Sequence, residues 1–281
     1  MPAPRPLKPP LKSSSKPPIV LCLSGHDPGG GAGLQADLET LAAHGVHGVG
    51  VITALTVQDS RNVRRVIPTD AALLAEQLNV LLADVQPQAV KIGLIGDAAQ
   101  LPVIAAVLAR LGLPVVCDPV LRAGGGTDLV AAAFPAALRR ALLPQVTVLT
   151  PNAAEARRLV PDAADLDACA AALLADGARH VLITGGDEPG ETVVNRLYSA
   201  GNASTSGPIR HEWPRLPETF HGAGCTLASA IAARLALADA PVDAVATGQR
   251  WTQAALARAV AIGRGRRIPG RIPPPSARIA S

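Results

Sequence analysis

The chain has 281 residues, 48% hydrophobic and 17% charged, with a formal net charge of +4. This suits one large hydrophobic core or two modest ones, and the mild basicity is weak support for a polyanionic partner. Aromatic residues make up only 2%, so the base-stacking platforms of single-stranded nucleic-acid binders are missing. The four cysteines (Cys22, Cys117, Cys169 and Cys225) form no CxxC pair, which speaks against a structural zinc site or a disulfide framework and fits a reducing, cytoplasmic setting.

Residues 1–17 are Pro-, Lys- and Ser-rich and lack the apolar core of a signal peptide, so they read as a disordered leader. No uncharged apolar run is long enough to span a membrane. From residue 18 to 262 short apolar runs alternate with helical patterns. "PIVLCLSG" predicts a buried strand. "GLQADLETLAAHG" predicts a helix closed by Gly45, with Leu34, Leu38, Leu41 and Ala42 on one face. "VHGVGVITAL" is a strand, "DAALLAEQLNVLLADV" a helix, "AVKIGLIG" a strand and "AAQLPVIAAVLARLG" a helix. "PVVCDPV" is a strand, followed by a helix over "LVAAAFPAALRRALL" in spite of Pro135. The strand "QVTVLT" precedes the helices "NAAEARRLV" and "DLDACAAALLADGA", and "HVLITGGD" is again a strand. "ETVVNRLYS" and "GPIRHEWPRL" predict an antiparallel pair. Ala-rich helices over 223–238 and 242–262 close the domain, and residues 263–281 read as a solvated basic, Pro-rich tail. Continuous apolar strands alternating with helices predict an α/β fold, a mainly parallel sheet covered on both faces. Ligands of such sheets bind beyond the carboxyl ends of the strands.

Four motifs fall at those ends. "SGHDPGGGAGLQAD" is a glycine-rich turn that lets backbone approach a ligand, with Asp27 beside it as an acceptor for a substrate amine or ring; a permissive turn explains the glycines equally well. It is neither a P-loop nor GxGxxG. "CDPVLRAGGG" puts Asp118 at a strand end, as a turn former or as a metal or phosphate ligand. "TPNAAEARRL" has Asn152 and Glu155 at capping-box spacing, and Glu155 is also suited to a magnesium-bound water. In "GAGCTLAS" the amides of Gly222, Ala223, Gly224 and Cys225 can converge at a helix N-terminus, which attracts anions and lowers a thiol pKa. Cys225 is then either a base or nucleophile, or a small buried residue at a helix start.

Taken in order, "GHDPGGGAGLQADLET", "VITALTVQDS", "KIGLIG", "TPNAAEA" and "HGAGCTLASAIAA" resemble the hydroxymethylpyrimidine/phosphomethylpyrimidine kinases of thiamine biosynthesis, members of the ribokinase-like superfamily. The resemblance spans roughly 18–262. It implies an ATP- and Mg2+-dependent kinase that phosphorylates the hydroxymethyl group of 4-amino-5-hydroxymethyl-2-methylpyrimidine and then the resulting monophosphate. It implies an anion hole from Gly222, Ala223, Gly224 and Cys225, with Cys225 as general base. Gln58 would hydrogen-bond the pyrimidine, Asp27, Gly31 and Gly33 would line the substrate loop, and Thr56, Leu94 and Val120 would wall the pocket. Asn152, Thr184 and Gly186 would contact the nucleotide, and Glu155 and Asp118 would organise the metal. The resemblance also implies a homodimer acting on a small molecule, with no nucleic-acid or membrane partner. Three departures stand out: Thr184 replaces a common lysine, Thr219–Phe220 replaces Asn-Thr, and "IGRGRRIPGRI" replaces a Gly/His-rich C-terminal segment. Alternatives are a pyridoxal-type kinase of the same fold, or a catalytically impaired pyrimidine- or nucleotide-binding regulatory protein.

Overall fold

A computed structural model describes residues 16–122, 124–201 and 207–272. Most of the leader and residues 273–281 of the tail lie outside the described residues. The elements are β1 (Ile19–His26), α1 (Gly33–Ala43), β2 (His47–Gln58), β3 (Val63–Pro68), α2 (Ala71–Asp84), β4 (Ala89–Ile92), α3 (Leu101–Leu111), β5 (Val115–Cys117), α4 (Phe134–Leu142), β6 (Val148–Leu149), α5 (Ala153–Leu159), α6 (Leu166–Ala175), β7 (His180–Ile183), β8 (Thr192–Ser199), β9 (Ile209–Pro214), α7 (Ala223–Ala236) and α8 (Pro241–Ala257). They build one nine-stranded sheet of order β3-β2-β1-β4-β5-β6-β7-β8-β9. The six strands from β2 to β7 in that order run parallel, while β3 is antiparallel to β2 and the β8–β9 pair is antiparallel to β7.

The strand period of two distributes side chains to both faces of the sheet. In β1, Leu21 and Leu23 join a cluster with Leu74, Leu78, Ile104 and Leu138 from α2, α3 and α4. Val20 and Cys22 point the other way and join Leu227, Ile231 and Val245 from α7 and α8. Burial on both faces explains why the strands read as unbroken apolar runs. Helix ends follow local chemistry. The Asp70 carboxylate caps α2 through the Ala72 and Leu73 amides, and Gly112, with φ 60°, ends α3 in the left-handed region.

Several expectations need correction. The strand β3 pairs with β2, but "VRRVIP" has three residues that are charged or Pro and gave no clean alternation. Helix α4 begins at Phe134 with Pro135 in its first turn, where a missing N–H costs nothing, so the helix does not reach back to 129. The last helix stops at Ala257, not 262. On α1 the core-facing side is Ala36, Asp37, Thr40 and Leu41, while Ala42 is exposed. Residues 263–272 are not a solvated tail. They return across the molecule, bridging Phe220 through Arg267 and Val260 through Ile268, and bury Arg271 completely. The domain therefore runs on to at least residue 272.

Candidate active site

Beneath the strand ends lies a fully buried polar cluster. Lys91, on β4, has its Nζ 2.8 Å from Asp37 Oδ1 and 2.9 Å from Oδ2, with both side chains at 0% exposure. Ser24 Oγ on β1 donates to Asp37 Oδ2 at 2.6 Å and accepts from Lys91, and Ser229 Oγ on α7 donates to Oδ1 at 2.8 Å. One carboxylate thus ties β1, β4, α1 and α7 together. Burial disfavours the charged ammonium, but Asp37 outweighs it, with help from Cys225 and Asp118, and the Lys91 pKa rises above its ordinary value. Lys91 is therefore a permanent buried positive charge within electrostatic reach of Cys225 and Asp118.

Above this cluster the glycine loop and the start of α7 interlock. Gly222, the residue before α7, has φ 84°, and a Cβ there would overlap the Gly31 carbonyl oxygen. Only glycine satisfies both conditions. The first intrahelical bond runs from the Thr226 amide to Gly222 O, so the amides of Ala223, Gly224 and Cys225 have no acceptor within their own helix. Asp27 shapes the loop: its Oδ1 accepts from the Gly29 amide at 2.8 Å, and its Oδ2 from the Ala32 amide at 2.9 Å and from His221 Nε2 at 2.8 Å. Burial would raise the Asp27 pKa, but His221 and the two amides together hold it below the usual carboxylate value. Arg271 clamps both segments, donating to Gly30 O, Gly31 O, Thr226 Oγ1 and Glu39 Oε2.

Cys225 is half-buried in the first turn of α7. Burial pushes its thiol up to about 12. Asp118 and Asp37 add to the rise, and Lys91 and the Gly33 amide pull the other way without prevailing. The expectation that the helix end would lower the thiol pKa meets an opposing effect: desolvation beside the carboxylates Asp118 and Asp37 raises it instead. Burial also lifts Asp118 to about 6, against the pull of Lys91, and lifts Glu155 to about 8 with Asp118 repulsion added.

Glu155 and Asn152 form the capping box of α5. Asn152 Oδ1 accepts from the Glu155 amide at 2.8 Å, and Glu155 Oε2 accepts from the Asn152 amide at 3.1 Å. Asp187 covers the two intervening amides, of Ala153 and Ala154, at 3.2 and 2.8 Å. Thr184 is joined to Asn152 by a parallel bridge. Beside it Arg215 binds the carbonyls of Gly185, Gly186, Glu188 and Gly190, which fixes the loop where the lysine is missing.

One cavity of about 720 Å³ joins these parts. It is lined by Asp27, Gly33, Thr56, Gln58, Leu94, Val120, Asp118, Asn152, Glu155, Thr184, Gly186 and the Gly222–Cys225 turn. Of the residues expected from sequence only Gly31 is absent from the lining: it packs under His221 and Arg271 instead, supporting the loop from behind. Asp27 lines the cavity, but its oxygens already hold three bonds to the protein, so it acts first as the brace of the loop. Gln58 Nε2 donates to Thr56 Oγ1, which donates to His26 O. In the segment 123–126 of "CDPVLRAGGG", Ala123 lies outside the described residues, and Gly124 lies against Arg266. Sequence reasoning missed Lys91, Asp187, Arg215, Arg266 and Arg271. Only Lys91 carried a signal, a lysine inside the apolar strand "AVKI".

Two carboxylates and an amide-rich helix end share a cavity across the carboxyl ends of a mainly parallel sheet, with apolar walls nearby. That arrangement defines a small-molecule kinase of the ribokinase-like class. The description "Phosphomethylpyrimidine kinase" belongs to a family profile that matches residues 27–269, and the chain belongs to that family. It is 41% identical to the hydroxymethylpyrimidine/phosphomethylpyrimidine kinase of Synechococcus elongatus over 88% of this chain and 95% of that one. It is 37% identical to the thiamine biosynthesis bifunctional protein ThiED of Geobacter sulfurreducens over 88% of this chain and 50% of that one. A solved structure of Staphylococcus aureus pyridoxal kinase, in complex with AMP-PCP and pyridoxal, superposes with a TM-score of 0.82 at 26% identity, covering 92% of this chain and 94% of that one.

Proposed function

We propose that the protein transfers the γ-phosphoryl group of ATP to the hydroxymethyl oxygen of 4-amino-5-hydroxymethyl-2-methylpyrimidine and then to the monophosphate, in thiamine biosynthesis and in the cytoplasm. The observation that carries this reading is one cavity with the Gly222–Cys225 amides, the Asp118–Glu155 pair and the Thr56–Gln58–Leu94 wall on its lining, in a chain of this family. Its volume is that of ordinary small-ligand sites.

Phosphoryl transfer depends on positioning and charge neutralisation. The α7 amides and the helix dipole oppose the negative charge of the transferring group. Gln58 and Thr56 offer donors and acceptors to a heterocycle against Leu94 and Val120. Asn152, Thr184 and Gly186 border the nucleotide side. Asp118 and Glu155 would hold a divalent cation between the protein and the phosphates, since both carboxylates line the cavity on the side of Asn152 and Asp187. Bound with the nucleotide, Mg2+ would supply positive charge against these carboxylates and the phosphates. Cys225 remains the candidate base for the hydroxyl proton. Lys91 favours its thiolate and Asp118 opposes it, so the thiolate becomes more accessible as the charge on Asp118 is offset.

The test is incubation with Mg-ATP and the hydroxymethylpyrimidine, resolving mono- and diphosphate for wild type and Cys225→Ala. Diphosphate from wild type, with a loss of about 100-fold in the variant, is the expected result for a lost general base. A variant as active as wild type removes Cys225 from the chemistry. Tight ligand binding without turnover favours the impaired, regulatory reading that Thr184 suggests. Pyridoxal phosphorylation is a second reading, favoured by the likeness to the pyridoxal kinase; comparing turnover of the two alcohols at equal concentration separates them. The homodimer belongs to the same proposal. Leu55 and Ile67 face each other across β2 and β3, and with Val57 they form an apolar patch, each more than two-fifths exposed.

A further inference from the structure

Three arginines line the cavity. Arg122 is committed to Gly126 O at 2.6 Å, and Arg215 to four carbonyls of its loop. Arg266 is different. Among the described residues its Nη1 and Nη2 reach only the carbonyls of Phe220 and Arg61, each at 3.4 Å, the limit of a hydrogen bond. Its Nε is buried with no partner, and no ion pair with a carboxylate engages it among the described residues. A half-buried guanidinium has five donors in a rigid fork, and leaving them unmet is costly. The protein holds it in place all the same. The Arg266 amide donates to Ser60 O, the Arg267 amide to Thr219 O, and the His221 amide to Arg267 O, while buried Arg271 anchors the end of the segment.

Position indicates what the fork receives. Its neighbours are Ser60, Arg61, Gly124 and Phe220, on the side of the cavity that holds Gln58 and Val63. The nucleotide side, with Asn152, Thr184 and Asp187, is formed by other loops. Phe220 stands two residues before Gly222, where the open amides of α7 begin. A phosphate on the substrate, beside that helix end, would meet both amides and guanidinium, and the fork matches phosphate oxygens two at a time.

We propose that Arg266 binds the phosphate of a substrate that already carries one, and so makes the monophosphate an acceptor as well as a product. This rests on the kinase reading above. In the second transfer the bond from the γ-phosphorus to its bridging oxygen breaks and ADP leaves with the electron pair. A new bond forms from the γ-phosphorus to an oxygen of the substrate phosphate. The dianionic acceptor has no proton to give up, so this step needs charge neutralisation rather than a base.

The test measures kcat/KM for the alcohol and for the monophosphate separately, with KM for ATP, in wild type, Arg266→Gln and Arg266→Lys. Wild type turns over both acceptors. In Arg266→Gln the ratio of monophosphate to alcohol efficiency falls tenfold or more through KM for the monophosphate, and Arg266→Lys lies between. A smaller change in the ratio, as from a purely structural role, overturns the proposal. So does a defect appearing mainly in KM for ATP, which would assign the fork to the nucleotide. A thermal melt and the alcohol reaction report whether each variant has folded, and if Arg266→Gln has not, Arg266→Lys decides by the same ratio. Wild type that phosphorylates the alcohol but not the monophosphate sinks this inference and leaves the first kinase step standing. Wild type that phosphorylates neither sinks the kinase reading itself, and this inference with it.

Discussion

Replacing Lys91 by Met removes one half of an ion pair at 2.8 Å in which both side chains are at 0% exposure. Breaking a buried pair from one side leaves an uncompensated charge and costs about 3–5 kcal/mol. Here Asp37 retains the hydroxyl donors of Ser24 and Ser229, at 2.6 and 2.8 Å, so the lower end of that range, about 3 kcal/mol, is expected. In a domain of this size that lowers Tm by roughly 6–12 °C. The double variant Lys91→Met/Asp37→Asn removes both charges and regains most of the loss. Activity behaves differently. Lys91 favours the Cys225 thiolate by more than Asp37 opposes it, so removing both charges still leaves kcat low in the double variant although stability returns. Urea unfolding, followed by Trp213 and Trp251 fluorescence, and steady-state kinetics on the same preparations check both halves. A single variant within about 1 kcal/mol of wild type refutes the charge argument, because an exposed or dispensable pair is worth no more than that. Full kcat in the double variant refutes the link to Cys225.

Asp27→Asn should destabilise the protein at pH 7, since the charged acceptor holds three donors at 2.8–2.9 Å. The folded Asp27 titrates below its ordinary value of 3.8, so its contribution is complete above that value and is lost as pH falls through the lower folded one. Urea midpoints of wild type and variant should therefore converge only in strong acid; a gap that persists there refutes the assignment. Arg271→Met strands Glu39 and the Gly30 and Gly31 carbonyls, should cost about 3 kcal/mol or more, and should open 258–272 to trypsin. Lysine should not substitute, because one ammonium replaces a fork serving four acceptors. Leu55→Glu puts a charge in the centre of the β2–β3 apolar patch and should convert a dimer to monomer in light scattering, with a scattering mass equal to that of wild type counting against the interface.

The pattern of apolar runs and helices was enough to fix the layered α/β arrangement, because strands buried on both faces need unbroken apolar sequence and helices need their own period. The glycine loop, the Asn152–Glu155 box and the Gly222–Cys225 turn were legible for the same reason. Each is a local device whose residues lie within a few positions of one another. What sequence could not show depends on distance in the chain. Asp37 is buried only because Lys91, 54 positions away, faces it. The Cys225 pKa is raised because burial, Asp118 and Asp37 outweigh Lys91 and the Gly33 amide, a balance of fields set by packing. The final arginines read as a solvated tail, since a basic, Pro-rich stretch has no periodicity to announce burial. The fold alone carries Arg271 to Gly30 and Gly31, some 240 residues back, and sets Arg266 at the cavity wall. Local sequence determined which groups could do chemistry. The tertiary structure decided which of them are charged, which are already committed to the protein, and which remain free to meet a ligand, because those properties arise from neighbours that the chain supplies only once it has folded.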